Sequence, residues 1–406
     1  MFVKIANTPR PYAWGSTSAI ADLLGTTPSG EPEAELWLGA HPGSPSRIVD
    51  PAEAEGSATL LDWIAADPAK TLGGAAGAGQ LPFLLKVLAA SSALSLQAHP
   101  TPEQALEGFE RENALGIPLD ARNRNYKDAF AKPEMIFALS ETFDALCGFR
   151  SLDETREIVH ALLDADQRRE DPQPQPLEDL LAALSTPSTG SADDALRTTF
   201  EWLLSNGAGV PTLVRLVSDI APLASSGRFD REFATVGDLA REYPGDPGIV
   251  ISLLLNRVTL SAGEALYLPA GNIHAYLQGL GVELMAASDN VLRGGLTPKY
   301  VDVPELLSVL DFRAVPVPYL HPSTPAPTVQ VFQPDVPDFL LVRVTGDAGY
   351  RVDGPAIALC TAGAMTITGA VSSTSIARGE SFFVTPEEGT LAFRGEGTVF
   401  LATTGE

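Results

Sequence analysis

Residues 263–274 read Gly263-Glu264-Ala265-Leu266-Tyr267-Leu268-Pro269-Ala270-Gly271-Asn272-Ile273-His274, and this stretch decides the fold. Ala265 to Leu268 is strand text, Pro269 and Gly271 are turn residues, and His274 stands just beyond the turn. A strand leading through such a turn aims the imidazole into the mouth of a β-barrel. Upstream, Leu94-Ser95-Leu96-Gln97-Ala98-His99-Pro100 places Gln97 and His99 two apart, so on a strand both side chains face the same way. The first stretch has an echo in Gly379-Glu380-Ser381-Phe382-Phe383-Val384, with Pro386 just after, which implies a second, related barrel. No histidine follows His321, so that second barrel has no imidazole with which to build a metal site.

Working outward, roughly the first hundred residues are short apolar runs punctuated by Gly and Pro, such as Glu35-Leu36-Trp37-Leu38-Gly39 and Pro82-Phe83-Leu84-Leu85-Lys86-Val87-Leu88. This is strand-like text. From Ser151 the period changes: Ser151 and Glu154 stand at capping-box spacing, and the segments that follow to about residue 245 carry apolar residues three and four apart. Strands are expected again after residues 245–248. The expected architecture is mainly β, with one metal-binding and one degenerate C-terminal barrel and an inserted α-helical domain. The corresponding units are 1–150 (first part of the catalytic barrel), 151–250 (helical insert), 251–320 (second part of that barrel) and 321–406 (degenerate barrel).

With 406 residues, 45% hydrophobic and 19% charged, the chain has material for more than one core. A formal charge of -24 repels nucleic acid and anionic membranes, and no Lys/Arg run interrupts it. The N-terminal text lacks an apolar stretch of signal-peptide length, and no segment reads as a membrane span. These features lead to the expectation of a cytoplasmic protein with no nucleic-acid, membrane or obligatory protein partner. Cys147 and Cys360 are far apart and read as buried small hydrophobes. The basic residues are 21 Arg and six Lys. Four of those lysines, Lys86, Lys127, Lys132 and Lys299, fall in the segments that carry the chemistry, where an ammonium that can lose its proton has a use that Arg cannot fill.

Gly263 to His274 matches the second cupin motif, and Gln97 and His99 sit where the first cupin motif has its His-x-His pair, with Gln replacing the first His. Two carboxylates compete to complete the set. Glu103 has the usual cupin spacing, but Thr101-Pro102-Glu103-Gln104 also reads as an N-cap, a proline at the first helical position and an acid near the positive helix end. The alternative is Glu134, in Asn125-Tyr126-Lys127-Asp128-Ala129-Phe130-Ala131-Lys132-Pro133-Glu134. Two imidazoles, one carboxylate and one amide oxygen suit a borderline divalent metal and leave it net positive charge. His160 and His321 are assigned no function, and His41 is read as support for the metal ligands rather than as a ligand.

The Gln-x-His-Pro element, the Asn-Tyr-Lys-Asp segment ending in Lys-Pro-Glu, and the block from Pro269 through Leu306 that includes SDNVLRGGLTPKYVDV occur in that order. Together with Tyr12 to Ser16, Glu35 to Pro42 and Cys147 to Arg150, they resemble type I phosphomannose isomerases over most of the chain. The likeness is weakest in the helical insert and the last 80 residues. It implies Gln97, His99, Glu134 and His274 as ligands of one zinc per chain, with Mn, Co or Fe as alternatives. It further implies Arg293 as a catalytic residue and a sugar phosphate as substrate. The implied reaction interconverts mannose 6-phosphate and fructose 6-phosphate through a cis-enediolate by proton transfer. Glu283 resembles a family residue near the reacting carbons, and Lys132 and Lys86 compete with it as acid/base groups. Ser95, Lys299, Asp289 and Tyr276 are the substrate-binding candidates, with Arg293 beside Lys299 for the phosphate. One departure is Ala131, where the family often has His. The rival classes are an iron-dependent cupin dioxygenase and a non-catalytic sugar-binding cupin. Gln97 as a fourth ligand and the Lys-Pro-Glu segment argue against the first, and Lys132 with Arg293 against the second.

Overall fold

The computed structural model describes residues 1–185 and 190–405. Strands among them gather into two antiparallel sheets, one of nine strands and one of eleven. The nine-stranded sheet is organised around a single long strand, His274–Ala286. Its first residues lie between Gln97–Ala98 and Thr142–Phe149; from Gly279 onward it pairs with Phe83–Ala90, and from Gly281 also with Glu134–Ala138. The change of partners coincides with a bulge between Tyr276 and Gln278 and with Gly279 at φ +137°, where an added Cβ would come within 2.7 Å of Phe143. Only glycine lets the strand turn this corner.

Period-two alternation then sorts the side chains. Leu88, Ala90, Ile136, Ala138, Phe143 and Tyr276 share one cluster inside this sheet. Leu85, Val87, Phe137, Val282 and Leu284 point the other way and pack with Phe332, Leu341, Leu359 and Phe400 of the second sheet. Each such buried side chain stabilises the contact between the two sheets by about 1.5–3 kcal/mol. Strand Phe83–Ala90 is therefore buried on both faces, and Lys86 is the one charged residue in it.

The helical text is realised as Leu152–Gln167, Gln175–Ala183, Ala192–Leu204, Val210–Ile220 and Asp230–Glu242. Ser151 caps the first by accepting from Glu154 N. These helices share their core with the barrel. Phe200, Leu213 and Val217 share one cluster with Leu146, Phe149, Ile273 and Leu292 from the sheet.

Three sequence-based expectations are corrected. The first strand, Phe2–Ala6, does not join the nine-stranded sheet. It pairs with Ser381–Val384 of the other, because Val3 and Ile5 face the core between the sheets while Phe2 faces the second barrel's own core. The strand-like first hundred residues also hold helices Ala19–Leu24, Leu60–Ala66 and Pro68–Leu72, the last two capped by Thr59 and Asp67. After residue 247 the chain makes another helical turn, Gly248–Ile251, before strands resume at Leu255–Ser261. No helix of the described residues is long and apolar enough to cross a membrane.

Candidate metal centre and substrate cleft

His99 and His274 are brought together because the strand Gln97–Ala98 pairs with the start of His274–Ala286, in register Gln97 to His274. Glu134 opens the strand Glu134–Ala138 and pairs with both Met285 and Leu268. One donor atom from each of His99, Glu134 and His274 lies within 4.8 Å of the others, and all three residues are buried. His99 Nδ1 is 2.7 Å from the carbonyl of Asn290, and His274 Nδ1 is 3.0 Å from that of Asn272. A carbonyl only accepts, so each ring carries its proton on Nδ1 and points a lone pair from Nε2. Both Nε2 atoms sit 3.3 Å from Glu134 oxygens.

Burial holds the His99 imidazole neutral, with its pKa lowered to about 4. Burial acts to raise the pKa of Glu134, but the groups around it, the Lys132 ammonium among them, outweigh it and keep the carboxyl well below the usual range. Acceptors therefore face acceptors, and among the described residues His99 Nε2 and Glu134 Oε2 are buried without a hydrogen-bond partner. Such an arrangement is costly unless a cation sits among the groups. The donor set of two imidazoles and a carboxylate fits a divalent metal. Gln97 adjoins it, with its side-chain nitrogen 3.3 Å from His274 Nε2, and rotation of the amide would present Oε1 instead.

A cleft of about 380 Å³ opens above this cluster, and its walls hold nearly every other candidate: Lys86, Ser95, Gln97, Lys132, Glu134, Tyr276, Glu283, Asp289, Arg293 and Lys299. Lys132 Nζ lies 3.2 Å from Glu134 Oε1. Lys86 and Glu283 are directly opposed across two strands, with Lys86 Nζ 2.9 Å from Glu283 Oε2 and 3.6 Å from Glu35 Oε1. Burial acts to lower the pKa of Lys86, but Glu283, Glu35 and Glu134 outweigh it and hold the ammonium charged. Burial also raises the Glu283 carboxyl above the ordinary range, with Lys86 opposing and Glu134 and Glu35 adding. Tyr276 OH is buried and has no hydrogen-bond partner among the described residues. At the other end of the cleft Arg293 Nη1 donates to Ser95 Oγ at 2.9 Å. Burial lowers the pKa of Lys299, and the neighbouring Arg293 adds to that.

Glu103 lies outside the cluster. It is exposed in the first turn of helix Pro102–Ala114, behind a capping box of Thr101 and Gln104. His41 departs from its expected role. Its Nε2 lies 3.1 Å from Asp289 Oδ2 and its Nδ1 accepts from Gly43 N, so it holds Asp289 in the cleft wall and does not support a metal ligand. His160 and His321 are exposed. Sequence reasoning missed Glu35, buried beside Lys86 and accepting from Trp37 Nε1 at 2.8 Å. An acid two residues from a Trp in an otherwise apolar strand was the available signal. It also missed that Tyr12, Trp14 and Trp37 wall the cleft, with the Lys86 ammonium 5.1 Å from the Trp37 ring centroid.

A family model described as phosphomannose isomerase type I, catalytic domain, matches residues 2–152. Over 97% of its length the chain is 36% identical to mannose-6-phosphate isomerase of Escherichia coli (strain K12), itself 97% covered. Among solved structures it is similar to a variant of phosphomannose isomerase from Salmonella typhimurium, with a TM-score of 0.87, 32% identity and complete coverage of both chains. It is equally covered, with a TM-score of 0.86 and 33% identity, by a zinc-bound mannose 6-phosphate isomerase structure. The fold is accordingly the cupin-type barrel with helices that the motifs implied, and the chain belongs to the type I phosphomannose isomerase family.

Proposed function

We propose that the chain is a zinc-dependent aldose-ketose isomerase that interconverts mannose 6-phosphate and fructose 6-phosphate. The observation that carries this reading is the buried set His99, Glu134 and His274, whose acceptors face one another beside the Lys86–Glu283 pair in one cleft. These three residues with Gln97 would hold one zinc per chain, and Mn, Co or Fe would suit the same donors. Bound there, the metal supplies a Lewis acid that polarises the substrate's oxygens.

The chain's own residues carry the proton chemistry. Glu283, with its raised pKa, takes the proton from C2 of the open-chain aldose and returns it to C1 of the cis-enediolate. Lys86 holds that carboxylate in place, and Lys132, against Glu134, is the other group able to move a proton. Arg293 offsets the negative charge that develops on the enediolate oxygens. Ser95 and Lys299 receive the phosphate, while Asp289 and Tyr276 offer polar groups to the sugar. Position 131 is Ala, so proton transfer at the ring oxygens falls to the other cleft groups.

The two rival readings explain less. An iron dioxygenase has no use for the paired lysines and acids, and a binding module has no use for a buried acid of raised pKa. Two buried free thiols and the acidic composition suit a cytoplasmic protein acting on a small sugar phosphate without an obligatory partner. Isomerisation in deuterated water tests the path: label at C2 of mannose 6-phosphate or C1 of fructose 6-phosphate supports proton transfer. No label after many turnovers would point instead to a hydride shift.

A further inference from the structure

Ala93 lies in the loop between strands Phe83–Ala90 and Gln97–Ala98, and side chains from the end of the last insert helix take both of its backbone polar groups. Glu242 Oε2 accepts from Ala93 N at 2.9 Å, and Tyr243 OH donates to Ala93 O at 2.6 Å. Three residues on, Asp246 Oδ2 accepts from Thr297 N at 3.3 Å while its Oδ1 accepts from Gly248 N at 2.7 Å. The two backbone segments touch here: a Cβ added at Gly295 would lie 3.1 Å from Gly248 Cα.

One short junction thus grips two loops. The first carries Ser95, the second follows Arg293 and carries Lys299, and the Arg293–Ser95 hydrogen bond joins them. Tyr243 also lines the cleft itself, beside Leu94 and Ser95. None of the three junction residues belongs to the metal cluster.

We propose that Glu242, Tyr243 and Asp246 are positioning residues for the anion-binding end of the cleft, so that the helical insert sets affinity for the phosphorylated end of the sugar. The inference rests on the reading of Ser95 and Lys299 as the phosphate-binding group. The phosphate is remote from C1 and C2, and contacts to it are made equally in ground and transition states. A loosened junction therefore raises KM and leaves kcat in place.

The test compares Glu242→Ala and Tyr243→Phe with Glu242→Gln, whose amide oxygen can still accept from Ala93 N. In the zinc-loaded enzyme, the first two raise both the KM for mannose 6-phosphate and the inhibition constant of inorganic phosphate by about tenfold. Their kcat and zinc content stay near those of the unmodified protein, and Glu242→Gln restores KM. Unchanged KM, or a joint fall of kcat and zinc content, overturns the proposal. Lys299→Ala separates the two levels. If it leaves KM and phosphate inhibition unaltered, the phosphate-site reading fails and the inference with it. If it raises both while the junction variants raise neither, the inference alone fails.

Discussion

The two barrels share one turn and differ in what they point inward. Gly263 and Gly379 both adopt positive φ, at +97° and +85°. Glu264 and Glu380 each accept, through a side-chain oxygen, from the backbone N three residues earlier, at Ser261 and Ala377. The strands that follow, Ala265–Leu268 and Ser381–Val384, pair antiparallel with Glu134–Ala138 and with the start of Ala356–Thr368. In that register Leu268 opposes Glu134, and Val384 opposes Ala356. The carboxylate of the metal cluster is thus replaced by a methyl group in the second barrel. Where the first barrel encloses Lys86, His99, Glu134, His274 and Glu283, the second is filled by Val352, Met365, Ile376, Phe393 and Val399. One scaffold serves as a reaction vessel or as an apolar support, and its turns do not decide which. The inward positions of the strands decide it.

Ways to break this contrast differ in size. Glu134→Ala gives the first barrel the second's residue, and it should remove zinc and lower turnover about a thousandfold or more, read by metal analysis and a coupled assay. Arg293→Ala should keep the zinc and lower kcat by about a hundred- to a thousandfold, so that metal content and turnover separate. Equal loss of both would make Arg293 a structural support. The pH dependence follows from Glu283: protonated, it cannot take up a proton, so kcat/KM falls about tenfold per pH unit as pH drops below its pKa, which burial holds above the ordinary carboxylate range. Glu283→Gln should abolish turnover and exchange with solvent. If turnover persists and label still enters, the base is Lys132 or Lys86. On the supporting side, Phe393→Ala should cost about 3–5 kcal/mol of stability in denaturant titration while leaving the kcat of the folded fraction unaltered.

What was legible in the sequence was local. The Pro/Gly turn before His274, the two-residue spacing of Gln97 and His99, and the cap at Ser151 each depend on a few neighbouring residues, and each appears in the structure. Glu134 and Glu103 part by position, since a capping box holds Glu103 on a helix surface while strand pairing carries Glu134 inside. The missed helices Ala19–Leu24, Leu60–Ala66 and Pro68–Leu72 are local, whereas the other missed contacts join distant parts of the chain. Phe2–Ala6 enters a sheet completed some 380 residues later, and FVKIA has the same alternation whichever sheet it joins. His41 meets Asp289, and Glu242 meets Ala93, through packing that no local period encodes. Lys86 could be singled out as a charge in an apolar run, yet its partners Glu283 and Glu35 follow only from strand register.

The most direct measurement concerns the facing acceptors in the first barrel. Protein stripped of metal by chelator and titrated with zinc should form no fructose 6-phosphate from mannose 6-phosphate at the outset, then gain activity in proportion to added zinc and level off at one zinc per chain. Full activity in the stripped protein, or a plateau that bears no relation to metal bound at His99, Glu134 and His274, would contradict the account.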